Sequence, residues 1–268
     1  MAVTRRGYIF SAFLLSVLCL LLTIVSISSD SWVGSSARVD GQNQDSTIRY
    51  GLFRGVFEDR VFATTVSSTL YMTCLVQSNA CAVSCKTNRA AREEEVKALA
   101  EGFRPTPTCI SVTTVDTTNP LETPPVISFV FYLFVVMLLC LQLLFAAISA
   151  LLAIINATKN PTEPIFGLPG CLWSNVVTAI LGVVVLMMFG IYWASSGLNT
   201  HLAFSFIALD FFEPFSALGY SYWLLIAAVC SSIASTGLIR LRSYLLERDP
   251  PPPTLKMDNH SDGTIFLY

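Results

Sequence analysis

The chain has 268 residues, of which 53% are hydrophobic and only 13% charged, with a mean hydropathy of +0.62. Soluble domains carry about 25% charged residues, so a deficit of this size points to burial in a membrane rather than in a globular core. The formal net charge of −2 gives no basis for nucleic-acid binding, and none is expected.

Four apolar runs free of Lys, Arg, Asp and Glu occupy residues 7–28, 126–155, 171–194 and 220–239. Each is long enough to cross a hydrocarbon core of about 30 Å. They predict a membrane α-helical fold, a four-transmembrane-helix bundle with an extracellular β-rich domain formed by the first loop. The first run, after a short cytosolic stretch 1–6, competes with a cleaved signal peptide using Arg5 and Arg6 as n-region and Ser26-Ile27-Ser28 as cleavage site. Its length exceeds the usual h-region of about 7–15 residues, which favours a span.

The loop 29–125 holds Cys74, Cys81, Cys85 and Cys109, whereas Cys19, Cys140, Cys171 and Cys230 fall in or beside the apolar runs. Four thiols in an oxidising compartment predict two disulfides, with three connectivities open. A metal site is disfavoured: Cys81-x3-Cys85 lacks the tight spacing of a knuckle, and the loop has no His. Residues 46–58, 61–77 and 108–115 are rich in β-branched and aromatic types and read as strands. Residues 88–102 read as a helix capped by Asn88 and ended by Gly102, with Arg89/Glu93 and Glu93/Lys97 four apart. Val96, Leu99, Ala100 and Phe103 form its apolar face, and Glu93-Glu94-Glu95 reads as a solvated face rather than a cation site.

The second run would be about 45 Å long at 1.5 Å per residue, so it projects from the bilayer or tilts. Ala146 and Ala150 in this run, and Ala227/Ser231/Ser235 and Ala228/Ser232/Thr236 in the fourth, are small-xxx-small rows suited to close helix packing, within the chain or between copies. With no ionisable side chain in any run, no proton relay or ion ligand is expected in the core, which argues against a transporter. The cytosolic connection 156–170 carries Lys159. The short extracellular loop 195–219 and the start of the fourth run concentrate Phe204, Phe206, Phe211, Phe212, Phe215, Tyr220, Tyr222 and Trp223, an interfacial belt or a partner patch.

The tail 240–268 adds Arg240, Arg242, Arg248 and Lys256, whereas 195–219 has no Lys or Arg. This asymmetry places both termini and 156–170 in the cytosol of a multi-pass plasma-membrane protein. The sequons Asn156-Ala157-Thr158 and Asn259-His260-Ser261 then face the membrane edge or cytosol, and Asn79-Ala80-Cys81 is a non-standard acceptor. In the tail, Pro250-Pro251-Pro252-Pro253 favours a polyproline II spacer or a PxxP ligand. The terminal Phe266, Leu267 and Tyr268 fit the Φ-x-Φ class of PDZ ligands, in which a peptide adds a strand and its carboxylate is captured by backbone amides.

Trp32 followed by Tyr50-Gly51-Leu52-Phe53 and loop cysteines resembles the W…GLW…C…C pattern of the claudin/PMP22 superfamily. The hexapeptide Tyr50-Gly51-Leu52-Phe53-Arg54-Gly55 is similar to the sequence at this place in the clarins, a tetraspan family. Pro161-Thr162-Glu163, the stretch from Gly167 to Trp173, Gly237-Leu238-Ile239-Arg240-Leu241 and the ending Leu267-Tyr268 also resemble that family, and the long loop suits an invertebrate or divergent member. One departure is that the first loop cysteine after Phe53 is Cys74, far later than in claudins. The resemblance implies a left-handed bundle carrying a sheet built from the first loop with a contribution from the second. In it Trp32 and Phe53 anchor the sheet, Gly51 permits close backbone approach, and the motif is structural.

The resemblance further implies a non-enzymatic protein without cofactors. It would organise adhesion or membrane-protein assemblies through its loops, and link them to PDZ-type or other cytosolic scaffolds and actin, in sensory cells in line with the family. Alternatives are a claudin-like junction or barrier protein, for which the mixed charges of the loop show no selectivity pattern, or an auxiliary subunit of a channel or receptor. His201 and His260, the two histidines, fall on opposite sides of the membrane in this topology, so no catalytic constellation assembles.

Overall fold

The computed structural model describes residues 2–38, 45–61, 64–105, 109, 115–116, 124–158, 166–198 and 213–248. Outside them lie Lys159, the Pro161-Thr162-Glu163 motif, His201, four of the loop aromatics (Phe204, Phe206, Phe211 and Phe212), and the whole tail from Asp249, including Phe266, Leu267 and Tyr268. Most of the strand predicted over 108–115 is also outside.

Four helices are long and apolar enough to cross a membrane: α1 (Ala2–Ser28), α3 (Phe129–Thr158), α4 (Leu168–Ser195) and α5 (Tyr220–Arg248). A shorter helix, α2 (Arg89–Ala100), belongs to the connection between the first two. The strands are β1 (Val33–Arg38), β2 (Asp45–Tyr50), β3 (Arg54–Val61), β4 (Thr64–Leu75), β5 (Ala80–Ser84), β6 (Arg104–Pro105), β7 (Val115–Asp116), β8 (Ile127–Ser128) and β9 (Glu213–Leu218). The molecule is a multi-pass membrane protein carrying a strand-rich domain.

The buried positions of the four long helices recur at intervals of three and four. They are Ile9, Ala12, Ser16, Cys19, Thr23 and Ser26 in α1, and Val135, Leu139, Gln142, Ala146, Ser149, Ala153 and Asn156 in α3. In α4 they are Cys171, Asn175, Thr178, Gly182, Val185 and Phe189, and in α5 Ser221, Leu225, Ala228, Ser232, Ser235 and Ile239. This is the spacing of a left-handed coiled bundle. Large apolar side chains such as Phe10, Leu14, Leu18 and Leu21 face outward, where lipid accepts them. The small-xxx-small rows therefore pack within the chain: Ala146, Ala150, Ala228, Ser231 and Ser235 are all buried.

The helices close in the cyclic order α1-α3-α4-α5. Near one level all four meet through hydroxyls and one amide. The Ser16 hydroxyl donates to the Ala12 carbonyl at 2.9 Å and lies 3.2 Å from that of Ser235, 3.3 Å from Asn175 Oδ1 and 3.4 Å from that of Ser149. Asn175 Nδ2 donates to the Cys171 carbonyl at 2.9 Å, and the Ser232 hydroxyl donates to the Asn175 carbonyl at 2.8 Å. α1 and α5 run antiparallel in a fixed register, because Ser235 also bonds Ala12 at 3.2 Å and Ser26 bonds the Ser221 carbonyl at 2.8 Å.

The strands form a seven-stranded antiparallel sheet in the order β8-β5-β4-β3-β2-β1-β9, with β6 and β7 paired separately. β9, from the connection between α4 and α5, pairs with β1, so both sheet-side connections share one sheet. The run 46–58 is not one strand but the hairpin β2-β3, broken at Gly51-Leu52-Phe53, because Gly51 N–H bonds the Arg54 carbonyl at 2.7 Å. β1 and β5 fall outside the runs read as strands, whereas β9 is the contribution from the second sheet-side connection that the resemblance implies. Residues Ile127 and Ser128, read as part of the second apolar run, form β8 and pair with β5. α5 continues nine residues past the predicted end at 239 (248 − 239 = 9).

On α5, Ser235 is fully buried and Ala227 exposed. Ser235→Leu therefore lowers thermal stability in detergent by about 1–3 kcal/mol through overpacking, whereas Ala227→Leu stays within about 0.5 kcal/mol of the parent. Equal effects at the two positions would contradict the seam.

Candidate functional site

The sheet sits on the bundle through the Trp32 and Tyr50–Gly55 motif. Trp32, which follows α1 by four residues, is 1% exposed. Its indole N–H donates to the Ser26 carbonyl at 2.7 Å, its backbone N–H to the Tyr50 carbonyl at 3.0 Å, and its own carbonyl accepts from Gly219 at 2.8 Å. The ring meets Phe189 of α4 edge-on at 5.0 Å. One residue thus joins α1, β2, the start of α5 and α4.

Tyr50 and Leu52 are buried beside it, and the Tyr132 hydroxyl of α3 donates to the Leu52 carbonyl at 2.9 Å. Gly51 has no room for a Cβ, which would collide with the Ser29 carbonyl; a Cβ at Gly55 would press on the Tyr50 backbone and the Arg49 carbonyl. Phe53 departs from the anchoring role: it is 48% exposed, and the anchors are Trp32, Tyr50 and Leu52. Burial pushes the Tyr50 phenol up, and Tyr192 adds to the effect.

Tyr192, which the sequence reading did not single out, and Asn79, read there only as a non-standard acceptor, complete the junction. Tyr192 stacks on Phe131 at 4.0 Å and accepts the Ser128 N–H at 3.0 Å. Asn79, in the β4-β5 turn at φ 45°, caps α3 from a distance. Its carbonyl accepts the Phe129 N–H and its Oδ1 the Val130 N–H, both at 3.1 Å. The Asn79-Ala80-Cys81 tripeptide is thus committed to a helix end. The signal for such caps is an Asn beside a turn, but its target lies 50 residues away in sequence and leaves no local trace.

The cysteines pair as Cys74–Cys81 and Cys85–Cys109. The first bridges directly opposed positions of β4 and β5. The second closes the segment bearing α2. Asn88 caps α2 through a bond from the Ala90 N–H at 3.1 Å, Gly102 follows the helix at φ 82°, and Arg89 pairs with Glu93 at 2.8 Å, as the residues predict.

The triple acid, however, divides. Glu94 is exposed, but Glu95 is buried, being in phase with Ala91 and Ala98 on the face that packs against β5 and β4. The Ser84 hydroxyl donates a short bond to its carboxylate, and Lys86, also fully buried, lies close enough to act on it. Burial raises the Glu95 carboxyl above its ordinary value of 4.5, while Ser84 and Lys86 pull it down. Arg92 closes the corner, donating to the Lys86 and Thr87 carbonyls at 3.1 and 2.9 Å and lying over the Tyr71 ring at 4.9 Å.

Two spaces accompany these elements. A closed apolar cleft of about 20 Å³ lies between Trp32, Tyr50, Leu52, Phe131 and Phe189, room for a single water at most. An open groove of about 320 Å³ runs between the β4-β5 turn and α2, lined by Leu75, Gln77, Ser78, Glu93, Glu94 and Lys97. Among the described residues no three His, Cys, Asp or Glu side chains gather as a metal site would require. Compared with known proteins, the chain matches no family model and no curated protein.

Gly51→Ala forces the backbone of Ser29 away and lowers thermal stability by about 1–3 kcal/mol, whereas Gly237→Ala, with nothing within 4 Å of the added carbon, is neutral or stabilising. Matching midpoints for the two variants would show that the junction gives way. For Glu95, the folded state holds its proton more tightly than the unfolded chain. Its contribution is complete below the unfolded value near 4.5 and is lost as pH rises through the raised folded value. Unfolding scans from pH 4 upward should show that decline in the parent and a flatter profile in Glu95→Gln; parallel profiles contradict the assignment.

Proposed function

We propose that this chain is a non-enzymatic, clarin-like tetraspan protein. Its sheet domain faces the cell exterior and holds neighbouring membrane proteins in place, while its tail recruits cytosolic scaffolds. The observation that carries the reading is the junction at Trp32. The sheet takes strands from both connections on its side; the buried Trp32 indole fastens it to α1 and α4, and the Trp32 carbonyl holds Gly219 at the start of α5. Such a domain moves with the bundle, as a protein that fixes the spacing of its neighbours requires.

The presentable surface is polar and extended. Beyond the buried row of Val33, Tyr50, Gly55 and Leu70, which the half-buried Leu218 extends, the β3-β4 hairpin continues with Thr65, Val66, Ser67 and Thr69 exposed. Two disulfides stiffen that surface near α2, beside the open groove between α2 and the β4-β5 turn. The order of the short motifs along the sequence also supports the reading. The tail ending in Phe266, Leu267 and Tyr268 supplies a C-terminal PDZ ligand in this scheme.

Proximity labelling with one tag at the N-terminus and a second inserted in the loop domain tests sidedness and partners together. The loop tag should label surface proteins, and the N-terminal tag cytosolic scaffolds. Deleting Phe266, Leu267 and Tyr268 should empty the scaffold set. Two profiles indistinguishable from bulk membrane would reject the scaffold function.

A further inference from the structure

The end of the bundle remote from the sheet carries a layer of arginines whose level follows from the helix register. Ala12 opposes Ser235 and Ser26 opposes Ser221, and both pairs sum to 247 (12 + 235; 26 + 221). The same sum sets Arg5 opposite Arg242 and Arg6 opposite Leu241, next to Arg240. At 1.5 Å per residue, all lie within about 11 Å beyond the Ser235 level. Arg248 follows two turns later on α5. Arg240 and Arg248 are exposed and Arg242 is half-buried. Among the described residues, the acidic side chain at this end is Glu247.

Arg240 and Arg248 stand eight residues apart on one exposed stripe of α5, and two guanidiniums on one stripe are stabilised by an anionic surface that meets both. The neighbouring surface defines which. Leu241, Tyr244 and Leu245 are 43%, 59% and 38% exposed on the same stretch of α5, and Trp173 of α4 is 66% exposed near the same end. Apolar and aromatic side chains interleaved with arginines mark the headgroup region of a bilayer, where the apolar groups meet acyl chains and the guanidiniums meet phosphate. A soluble acidic partner would leave that apolar surface in water.

We propose that the exposed stripe of Arg240, Tyr244 and Arg248 on α5 is a binding site for anionic phospholipid headgroups, engaged by Arg240 and Arg248. It does not depend on the scaffold reading. Guanidinium is suited to the task because its planar donors bond two phosphate oxygens at once.

The test uses the full chain in nanodiscs of phosphatidylcholine with or without phosphatidylserine, extracted into mild detergent and weighed intact by native mass spectrometry. Phosphatidylserine should be retained over phosphatidylcholine by roughly fivefold for each arginine engaged, and high salt should reduce the excess. Arg240→Gln with Arg248→Gln should cut retention by about an order of magnitude, and Arg240→Lys with Arg248→Lys should restore most of it. The parent's melting midpoint in phosphatidylcholine discs is the control for folding; if the double variant misses it, Arg248→Gln alone should still lower retention. Equal retention of the two lipids, or undiminished retention in folded Gln variants, overturns the proposal. Comparable occupancy by soluble glycerophosphoserine overturns the assignment to a membrane lipid.

Discussion

The structure rests on a bundle whose inside is more polar than its outside. In water, helices associate by withdrawing apolar stripes; in lipid that drive is absent, because the surroundings are as apolar as leucine. Association then depends on close backbone approach and on hydrogen bonds that lipid cannot supply. The seam is built accordingly. Ser16, Ser149, Asn175 and Ser235 meet where the four helices come together, and each hydroxyl is small enough to let them close. A single Ser16 proton cannot serve all its neighbours at once, so the group is a shared network in which each oxygen also accepts. Transmembrane hydrogen bonds of this kind contribute about 0.6 kcal/mol each on average, and their number matters more than any one.

That network sets the register of α1 against α5, and the register sets everything at the sheet end. With Ser26 bonded to the Ser221 carbonyl, the chain leaving α1 and the chain entering α5 are held side by side. Gly219 can then donate to Trp32, and β9 can lie along β1 from Val33–Leu218 to Arg38–Glu213. A glycine is required at 219 for the same reason as at 51: a Cβ would strike the neighbouring carbonyl, here that of Ser31. The sheet is therefore a consequence of helix register as much as of strand propensity. A shift of one residue between α1 and α5 would place Leu218 and Val33 on the solvent side of their strands.

Much of this was legible in the sequence, and the omissions have a common cause. The four apolar runs, the capped helix after Asn88 and the separation of loop from span cysteines are local signals, each carried by fewer than about 30 neighbouring residues. The missed features are long-range. β1 has only small side chains between Val33 and Arg38 and carries no strand signal of its own; it is a strand because β2 and β9 lie beside it. β5 is short and buried throughout, so it shows no alternation to read. Glu95 stood in a run of three acids that resembles a solvated face, and only the phase of Ala91 and Ala98 marks it as inward. The polar seam was present as Gln142, Ser149 and Asn156 at seven-residue spacing within an apolar run, a periodicity hidden by attention to total hydropathy.

The seam is not uniform along its length. Toward the sheet, Val135, Leu139, Val185, Phe189 and Leu225 form an apolar core continuous with Trp32, Ile48 and Leu70 of the loop domain. Toward the arginine end the same helices meet through Ser16, Ser149, Asn175 and Ser232. Gln142 stands between the two halves. It is fully buried, and neither its Nε2 nor its Oε1 finds a partner among the described residues. Gly182 provides the space, since a Cβ there would lie 2.9 Å from the amide nitrogen and press on Val229. An unsatisfied amide in a low-dielectric core costs about 1–3 kcal/mol. It marks the level at which the two halves are least well joined. The halves therefore answer to different influences: the sheet half shares its core with the disulfide-bonded loop, and the far half is held by its own hydrogen bonds and a separate apolar cluster around Ala12, Ala153, Cys171 and Ile239. The core shared with the loop domain runs along α3 and α4 through Val135, Leu139, Val185 and Phe189, while the register of α1 on α5 is held in the far half by Ala12 and Ser235.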